Sequence, residues 1–317
     1  MKTRITELFD IEYPIIQGGL AYLANAVLAA AVSNAGGLGQ ITATSLDSAE
    51  ALRKEINKVR TLSDKPFGVN FAISRFSENY MHLLDVAIEL EVPVISITGG
   101  DPSPVFEKIK GTGIKTMVLV ADVRQAQKAE ALGVDAVIAV GQEGGGHLGR
   151  TDTGTFVLIP RVVDSVSIPV IASGGIGDGR GLVAALALGA DGIEMGTRFI
   201  ATKECVLASQ GYKDDLVKAQ ETDTVVIKRT LKTPGRVLSS VFANKILELE
   251  AQGYDYQALK DYVSGETNKK YINTGDSTLG YGWAGQVVGL IDDSPSVQEL
   301  FNRMMIQVND FYNKKVI

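Results

Sequence analysis

From the N-terminus to about residue 200, short apolar runs rich in β-branched residues alternate with amphipathic segments rich in Ala, Leu, Glu and Lys. That rhythm specifies βαβ units and a parallel sheet, and it constrains the fold more than any other feature of the chain. The runs fall at 14–17, 37–41, 67–70, 92–98, 116–120, 136–140, 170–172 and 192–195. Strands buried on both faces read as near-continuous apolar stretches, and 134–140 and 168–172 do so. Helical patterns lie between them at 24–34, 48–59, 79–90, 105–110, 123–132, 158–166 and 179–188. Eight β-runs with intervening helices predict an α/β fold, a closed TIM (β/α)8 barrel; a doubly wound open sheet is the competing architecture.

Past residue 200 the rhythm changes. Segments 213–222, 237–252 and 256–264 read as helices, with no strand run of comparable quality between them. Segments 284–290 and 297–314 read as a helical return onto the barrel. The expected organisation is a barrel of residues 1–205 and 285–317, with a smaller, mostly helical domain, 206–284, covering its mouth. A chain of 317 residues suits such a barrel with an addition.

Charge and cysteine content exclude several roles. With 31 basic against 37 acidic residues the net charge is −6, which disfavours nucleic acid and anionic membrane as main partners. Cys205 is the single cysteine, so there is neither an intrachain disulfide nor a cysteine-based zinc site, and His82 and His147 alone make no histidine-rich metal site. No metal is expected. The N-terminus lacks an apolar signal core and no apolar run reaches membrane-spanning length, so a soluble cytoplasmic protein is expected.

Chemistry concentrates in six glycine-rich turns at predicted strand ends: Gln17-Gly-Gly19, Gly36-Gly-Leu-Gly39, Gly99-Gly100, Gly144-Gly-Gly-His147, Ser173-Gly-Gly175 and Gly196-Thr197. Glycine lets the backbone approach a ligand closely and present its N–H groups. The last two turns follow the seventh and eighth predicted strands, where barrels commonly hold phosphate. Backbone N–H groups there, the start of the helix at Gly179 and the Thr197 hydroxyl would together cradle a dianion. His147, on the loop after the sixth strand, suits a general base or a hydrogen-bond donor near pH 7. Asn70, ending the third strand, both donates and accepts, which suits the alternating edge of a flavin ring. His82 reads as a helix-face residue, Cys205 as structural and Asp292-Asp293 as a loop leading into a helix. Trp283 is open between lining a planar ligand and anchoring packing.

At these residues the chain resembles the nitronate monooxygenase family of FMN-dependent TIM-barrel oxidoreductases. That group also includes NADH:quinone reductases and FMN-dependent enoyl-acyl carrier protein reductases. The likeness runs from Tyr13-Pro-Ile-Ile-Gln-Gly-Gly19 through Pro66-Phe-Gly-Val-Asn70, Glu143-Gly-Gly-Gly-His-Leu-Gly149, Ala172-Ser-Gly-Gly-Ile-Gly-Asp-Gly179 and Met195-Gly-Thr-Arg-Phe199 to Trp283-Ala-Gly-Gln-Val-Val-Gly-Leu-Ile-Asp-Asp293. It implies one non-covalent FMN and His147 as the catalytic histidine. Gly174, Gly175, Gly196 and Thr197, with Ser173 in the same turn, would hold the phosphate, and Met195 is a further cofactor-binding candidate. Gly19, Leu20, Asn70, Gly145 and Gly146 would line the ring and ribityl chain. Leu119 and Val140 stand where some relatives carry polar side chains. The activity it implies first is oxidation of alkyl nitronates by dioxygen. The alternative is NAD(P)H-dependent reduction of a quinone or an enoyl thioester, and a flavin-binding sensor without turnover is a third reading. The expected partners are thus a small-molecule substrate and, in the reductase case, NAD(P)H; a homodimer is compatible with the chain.

Overall fold

Eight parallel strands stand where the apolar runs fall. The structure, a computed structural model, describes residues 1–73 and 80–314. In chain order its strands are β1 (Ile15–Gln17), β2 (Gly39–Thr42), β3 (Phe67–Ala72), β4 (Val94–Thr98), β5 (Lys115–Val120), β6 (Ala136–Val140), β7 (Gly146–His147), β8 (Val170–Ser173), β9 (Gly192–Met195), β10 (Thr224–Ile227) and β11 (Gly235–Leu238). All but β7, β10 and β11 form one sheet in the order β1-β9-β8-β6-β5-β4-β3-β2. A parallel bridge from Ile16 to Leu38 brings β1 back to the chain leading into β2 and closes the barrel. The Gln17 N–H donates to the Leu38 carbonyl at 3.0 Å and the Leu38 N–H to that of Ile15 at 3.0 Å.

The two faces of each strand divide the core, as the period of two requires. Outward residues such as Ile41, Val69, Phe71, Ile95, Ile97, Val137 and Ala139 pack under the surrounding helices. Inward residues Ile16, Leu38, Val94, Met117, Ala136, Ile138 and Ile171 fill the barrel, and Ile5 and Phe9 from the helix Arg4–Phe9 join that cluster. Leu119 packs partly buried against it, and Val140 is buried.

The helices start where side chains can take their free N–H groups. Asn25 Oδ1 accepts from Val27 and Leu28 ahead of the helix Ala26–Asn34, and Asp178 accepts from Arg180 and Gly181 ahead of Gly179–Ala187. The predicted crossover 79–90 is the helix Met81–Glu89; its first predicted residue, Asn79, lies outside the described residues. The final helix, Val297–Asn313, lies against Gly179–Ala187, and a Cβ on Gly179 would overlap the Met304 carbonyl oxygen. No described helix is long and apolar enough to cross a membrane.

The segment after β9 departs from the sequence reading in one respect. It is mostly helical, with helices Gln210–Lys218, Val241–Ala251, Tyr256–Leu259 and Gly265–Thr274, but β10 and β11 form an antiparallel hairpin within it. The predicted helix 237–252 therefore begins only at Val241, capped by Ser240, and 256–264 is a single helical turn followed by a second helix that starts after Ser264. The hairpin escaped notice because its strands span four residues each and its turn carries Lys228 and Lys232, at φ 63° and 57°, where glycine or asparagine would have announced it. The segment Thr224-Val-Val-Ile227 was the missed signal, since β-branched runs favour strands. β11 also pairs with β7, matching Gly235 with His147 and Arg236 with Gly146.

Tight helix-to-strand packing makes a measurable claim about Gly39. A Cβ there would overlap the Ala29 carbonyl oxygen, a backbone atom that cannot turn away. Gly39→Ala should lower the free energy of unfolding by about 3 kcal/mol, the upper end of ordinary overpacking. Gly111→Ala, at φ 83° with nothing within 4 Å, should lose only about 1 kcal/mol of left-handed backbone energy. Urea unfolding of both variants checks the ranking; equal losses would contradict the packing.

Candidate active site

Toward the C-terminal end of the barrel the interior turns polar. Two residues beyond the apolar Leu38, Val94 and Ile171 stand Gln40, Ser96 and Ser173, and Asn70 and Glu194 occupy the same level on β3 and β9. These groups satisfy one another while buried. The Gln40 amide donates to the Gln17 carbonyl at 2.8 Å, and Gln17 Oε1 accepts from the Gln40 N–H at 2.9 Å. The Ser96 hydroxyl donates to Gln40 Oε1 at 2.5 Å and accepts from Asn70 Nδ2 at 2.9 Å. Asn70 thus commits one of its two amide N–H groups to its neighbour on β4, and Gly19 lies directly over its amide, where a Cβ would overlap Oδ1. Leu20 follows, its N–H held by Thr42 Oγ1 at 3.0 Å, and among the described residues its side chain is what a Cβ on Gly196 would meet.

Glu194 is a carboxylate inside the barrel that sequence reading passed over. Its Oε1 accepts from the Ser173 hydroxyl at 3.0 Å, and Gly18 leaves room for it. Burial raises its pKa from 4.5 to about 7, against the Ser173 hydrogen bond, which lowers it. The signal was a lone acid at an inward position of the run Gly192-Ile-Glu-Met195.

The two late turns differ in backbone conformation. Gly174 and Gly175 are both left-handed, at φ 93° and 73°. Thr155 Oγ1 donates to the Gly174 carbonyl at 2.9 Å, and the Glu143 carboxylate accepts the Thr155 N–H at 2.9 Å, which fixes the turn from behind. Gly196 has an ordinary φ of −110° and its Cβ would meet only Leu20, at 3.5 Å, so neither backbone nor packing demands glycine there. Thr197 Oγ1 accepts the Gly285 N–H at 3.0 Å, which leaves its own O–H to donate elsewhere. A cavity of about 350 Å³ opens beside the first of these turns, lined by Gly175, Glu143, Glu221, Gln286 and Val287 among others. The helix Gly179–Ala187 does not contribute its N-terminus as expected. Its first N–H groups go to Gln307, from Gly179 at 2.7 Å, and to Asp178, from Arg180 and Gly181. Met195 turns its side chain into the core between barrel and helices, so only its backbone reaches this region.

Gly145 is a close-approach glycine whose Cβ would sit 2.6 Å from the Gly285 nitrogen, whereas Gly146, at φ 82°, faces open space. His147 follows them. It keeps an open face on the mouth and is enclosed elsewhere by the Trp283 ring, 5.0 Å away between centroids, and by Lys228 Nζ, 3.1 Å from Nε2. Enclosure, with the Lys228 charge added, lowers its pKa from 6.5 to about 4. Both causes act in the same direction, and the imidazole is neutral at pH 7. Lys228 was missed because nothing in its local sequence marks it; only the hairpin brings it to β7. Trp283 sits against both residues, its ring centroid 4.9 Å from the ammonium, which is the packing role of the two left open for it.

The remaining candidates are structural, as read. Cys205 is buried, with a thiol pKa raised to about 11 by burial. Asp293 pairs with Arg303 at 2.5 Å ahead of the last helix, and its carbonyl accepts from Arg198 at 2.6 Å. His82 is exposed on its helix.

A family model described as nitronate monooxygenase matches residues 2–307. A probable nitronate monooxygenase of Staphylococcus saprophyticus is 34% identical, over 99% of each chain. The structure of FabK from Thermotoga maritima superposes with a TM-score of 0.93 at 41% identity, covering 99% of this chain and 98% of that one. A nitroalkane oxidase from Streptomyces ansochromogenes gives 0.84 at 26% identity, covering 98% and 99%.

Glu194 gives the site a pH signature. Its folded pKa lies above the ordinary value, so folding favours the protonated form; that stabilisation is whole below pH 4.5 and lost as pH rises through about 7. Between those limits the ligand-free protein should lose on the order of 3 kcal/mol from this group. Glu194→Gln should remove that slope, as read from urea midpoints at pH 4.5, 6 and 8. Parallel pH profiles for parent and variant would place the carboxylate in water.

Proposed function

The chain belongs to the nitronate monooxygenase family, and from that membership we propose that it is an FMN-dependent oxidoreductase that oxidises alkyl nitronates with dioxygen. In this reading residues 206–284 cover the mouth of a barrel made of 1–205 and 285–317.

The residues present fit a flavin mononucleotide. Consecutive left-handed glycines at Gly174 and Gly175, the absent side chain of Gly196 and the spare Thr197 O–H would hold its single phosphate, with Ser173 and the Met195 backbone beside them. Gly19, Leu20, Asn70, Gly145 and Gly146 would line the ribityl chain and ring. FMN, when bound, supplies the electron acceptor that an electron-rich nitronate needs, with dioxygen as terminal oxidant.

The observation that carries the nitronate reading is the His147–Lys228 pair at 3.1 Å. A neutral imidazole backed by an ammonium suits an anion at the mouth. An ammonium can only donate, so it occupies the accepting nitrogen of His147, which is then a hydrogen-bond donor to substrate and not a base that removes a proton. This favours a preformed nitronate over a neutral nitroalkane, and it narrows the two roles that sequence alone left for His147. The same donor would also stabilise the oxygen of an enolate, which keeps NAD(P)H-dependent reduction of an enoyl thioester or quinone as the second reading.

Three measurements test these statements. Purified protein should be yellow and release FMN, not FAD, on heating. Gly196→Asp should keep the fold and lose flavin after gel filtration, because a carboxylate about 4 Å from the phosphate is repelled by on the order of several kcal/mol at an effective dielectric near 20; unchanged occupancy would move the phosphate elsewhere. In anaerobic stopped flow a nitronate should bleach the flavin, with His147→Asn slower by about 10²-fold, the usual loss of one preorganised donor. Bleaching by NADH or NADPH and none by a nitronate would give the reductase reading the lead.

A further inference from the structure

Lys228 belongs to none of the segments that would hold FMN, yet the fold goes to some length to place it. Its backbone is left-handed at φ 63°, a region that side-chain-bearing residues seldom enter and that clusters at functional positions. The buried Glu250, on the helix Val241–Ala251, secures this turn: its carboxylate accepts the Lys228 N–H at 2.8 Å, the Thr230 N–H at 3.1 Å and the Thr230 hydroxyl at 2.7 Å. Across the hairpin, Gly235 leaves space for the indole of Trp283, whose ring a Cβ would approach to 2.6 Å. The Lys228 side chain, itself buried, then reaches Trp283 and His147 Nε2.

An ammonium has three donors and no lone pair. Facing it, Nε2 accepts, so the one ring proton of neutral His147 resides on Nδ1, which has no partner among the described residues. We propose that Lys228 is a positioning residue that locks His147 in its neutral Nδ1–H tautomer, so that Nδ1–H is the hydrogen bond the histidine offers to whatever binds at the mouth. The proposal rests on the reading that His147 meets substrate; the tautomer itself can be observed without any substrate.

The groups that meet at this point set its pH range. Burial lowers the Lys228 pKa to about 8, against the pull of Glu250, which raises it. His147 is neutral throughout. Arg229 turns to Asp152 at 3.1 Å, and Arg236 to the Gln142 carbonyl and Thr224. The lock therefore holds below about pH 8 and is released as Lys228 loses its proton.

The chain has two histidines, so the test is clean. Long-range proton–nitrogen NMR on histidine-labelled full-length protein, with His147→Asn to assign the signals, should show His147 at pH 7 protonated on Nδ1 and bare on Nε2. Raising the pH through 8 should move the proton toward Nε2, while His82 stays unchanged. Lys228→Met should give the released state already at pH 7, and Lys228→Arg should restore the lock. With a nitronate as substrate, kcat in Lys228→Met should fall at least about tenfold, as expected when a catalytic histidine is left in the wrong tautomer, and recover in Lys228→Arg. An Nε2–H tautomer in the parent, or a Lys228→Met spectrum identical to the parent's, would overturn the proposal. If the tautomer switches as described but no nitronate is oxidised, the lock stands and the substrate assignment fails.

Discussion

Barrel closure at one short contact is the constraint on which the rest depends. A parallel sheet that stops at β1 and β2 would leave two unpaired edges, and its strand ends would fan apart instead of facing one another. Closure runs through Ile16 and Leu38, and it needs the backbone to pass close to its neighbours on both sides of Leu38. A Cβ on Gly37 would lie 2.5 Å from the Ile15 carbonyl oxygen, and one on Gly39 would overlap that of Ala29. The glycine-rich segment 36–39, read at first as another mouth turn, is therefore the seam of the barrel. Only when that seam is shut does Gln17 come within hydrogen-bond reach of Gln40, which ties it to Ser96 and Asn70 on the neighbouring strands and completes a rigid floor for the mouth.

Above that floor, burial works on two groups of opposite sign. Glu194 is pushed up toward neutrality and Lys228 is pushed down toward it, each because a charge in a poorly solvated place is unfavourable. Their partners differ in kind. Glu194 has the neutral hydroxyl of Ser173, whereas Lys228 has an imidazole and an aromatic face. The Lys228 ammonium contacts neutral groups and feels the Glu250 carboxylate only through space, so it remains available to a negatively charged visitor, and a carboxyl poised near neutrality is a weak repellent of one. Both features tilt the mouth toward anions without a second fixed positive charge facing His147.

What could be read from the chain followed from periodicity. Runs such as 136–140 and 170–172 fall on β6 and β8 because strands buried on both faces read as apolar stretches, a local rule. The places of Asn70, His147 and the turns after β8 and β9 at strand ends were legible because strand ends in a barrel converge by topology. The hairpin was not, since its turn relies on Glu250, twenty-two residues beyond Lys228, to hold a lysine where glycine is usual. The helix Gly179–Ala187 misled for a similar reason: its N-terminus looked free, but Gln307, from the far end of the chain, takes the Gly179 N–H. Both misses are long-range partnerships that leave no trace in neighbouring residues.

The two-residue strand β7 belongs to the barrel by sequence and to the hairpin's sheet by pairing. The histidine is therefore spelled by one part of the molecule and aligned by another. A lineage that exchanged or lengthened the hairpin to admit a different molecule would shift the register at Gly235 and carry the imidazole with it. On the proposed reading of His147, selectivity and reactivity are coupled through this pairing, and a change in either segment alone would misalign the imidazole.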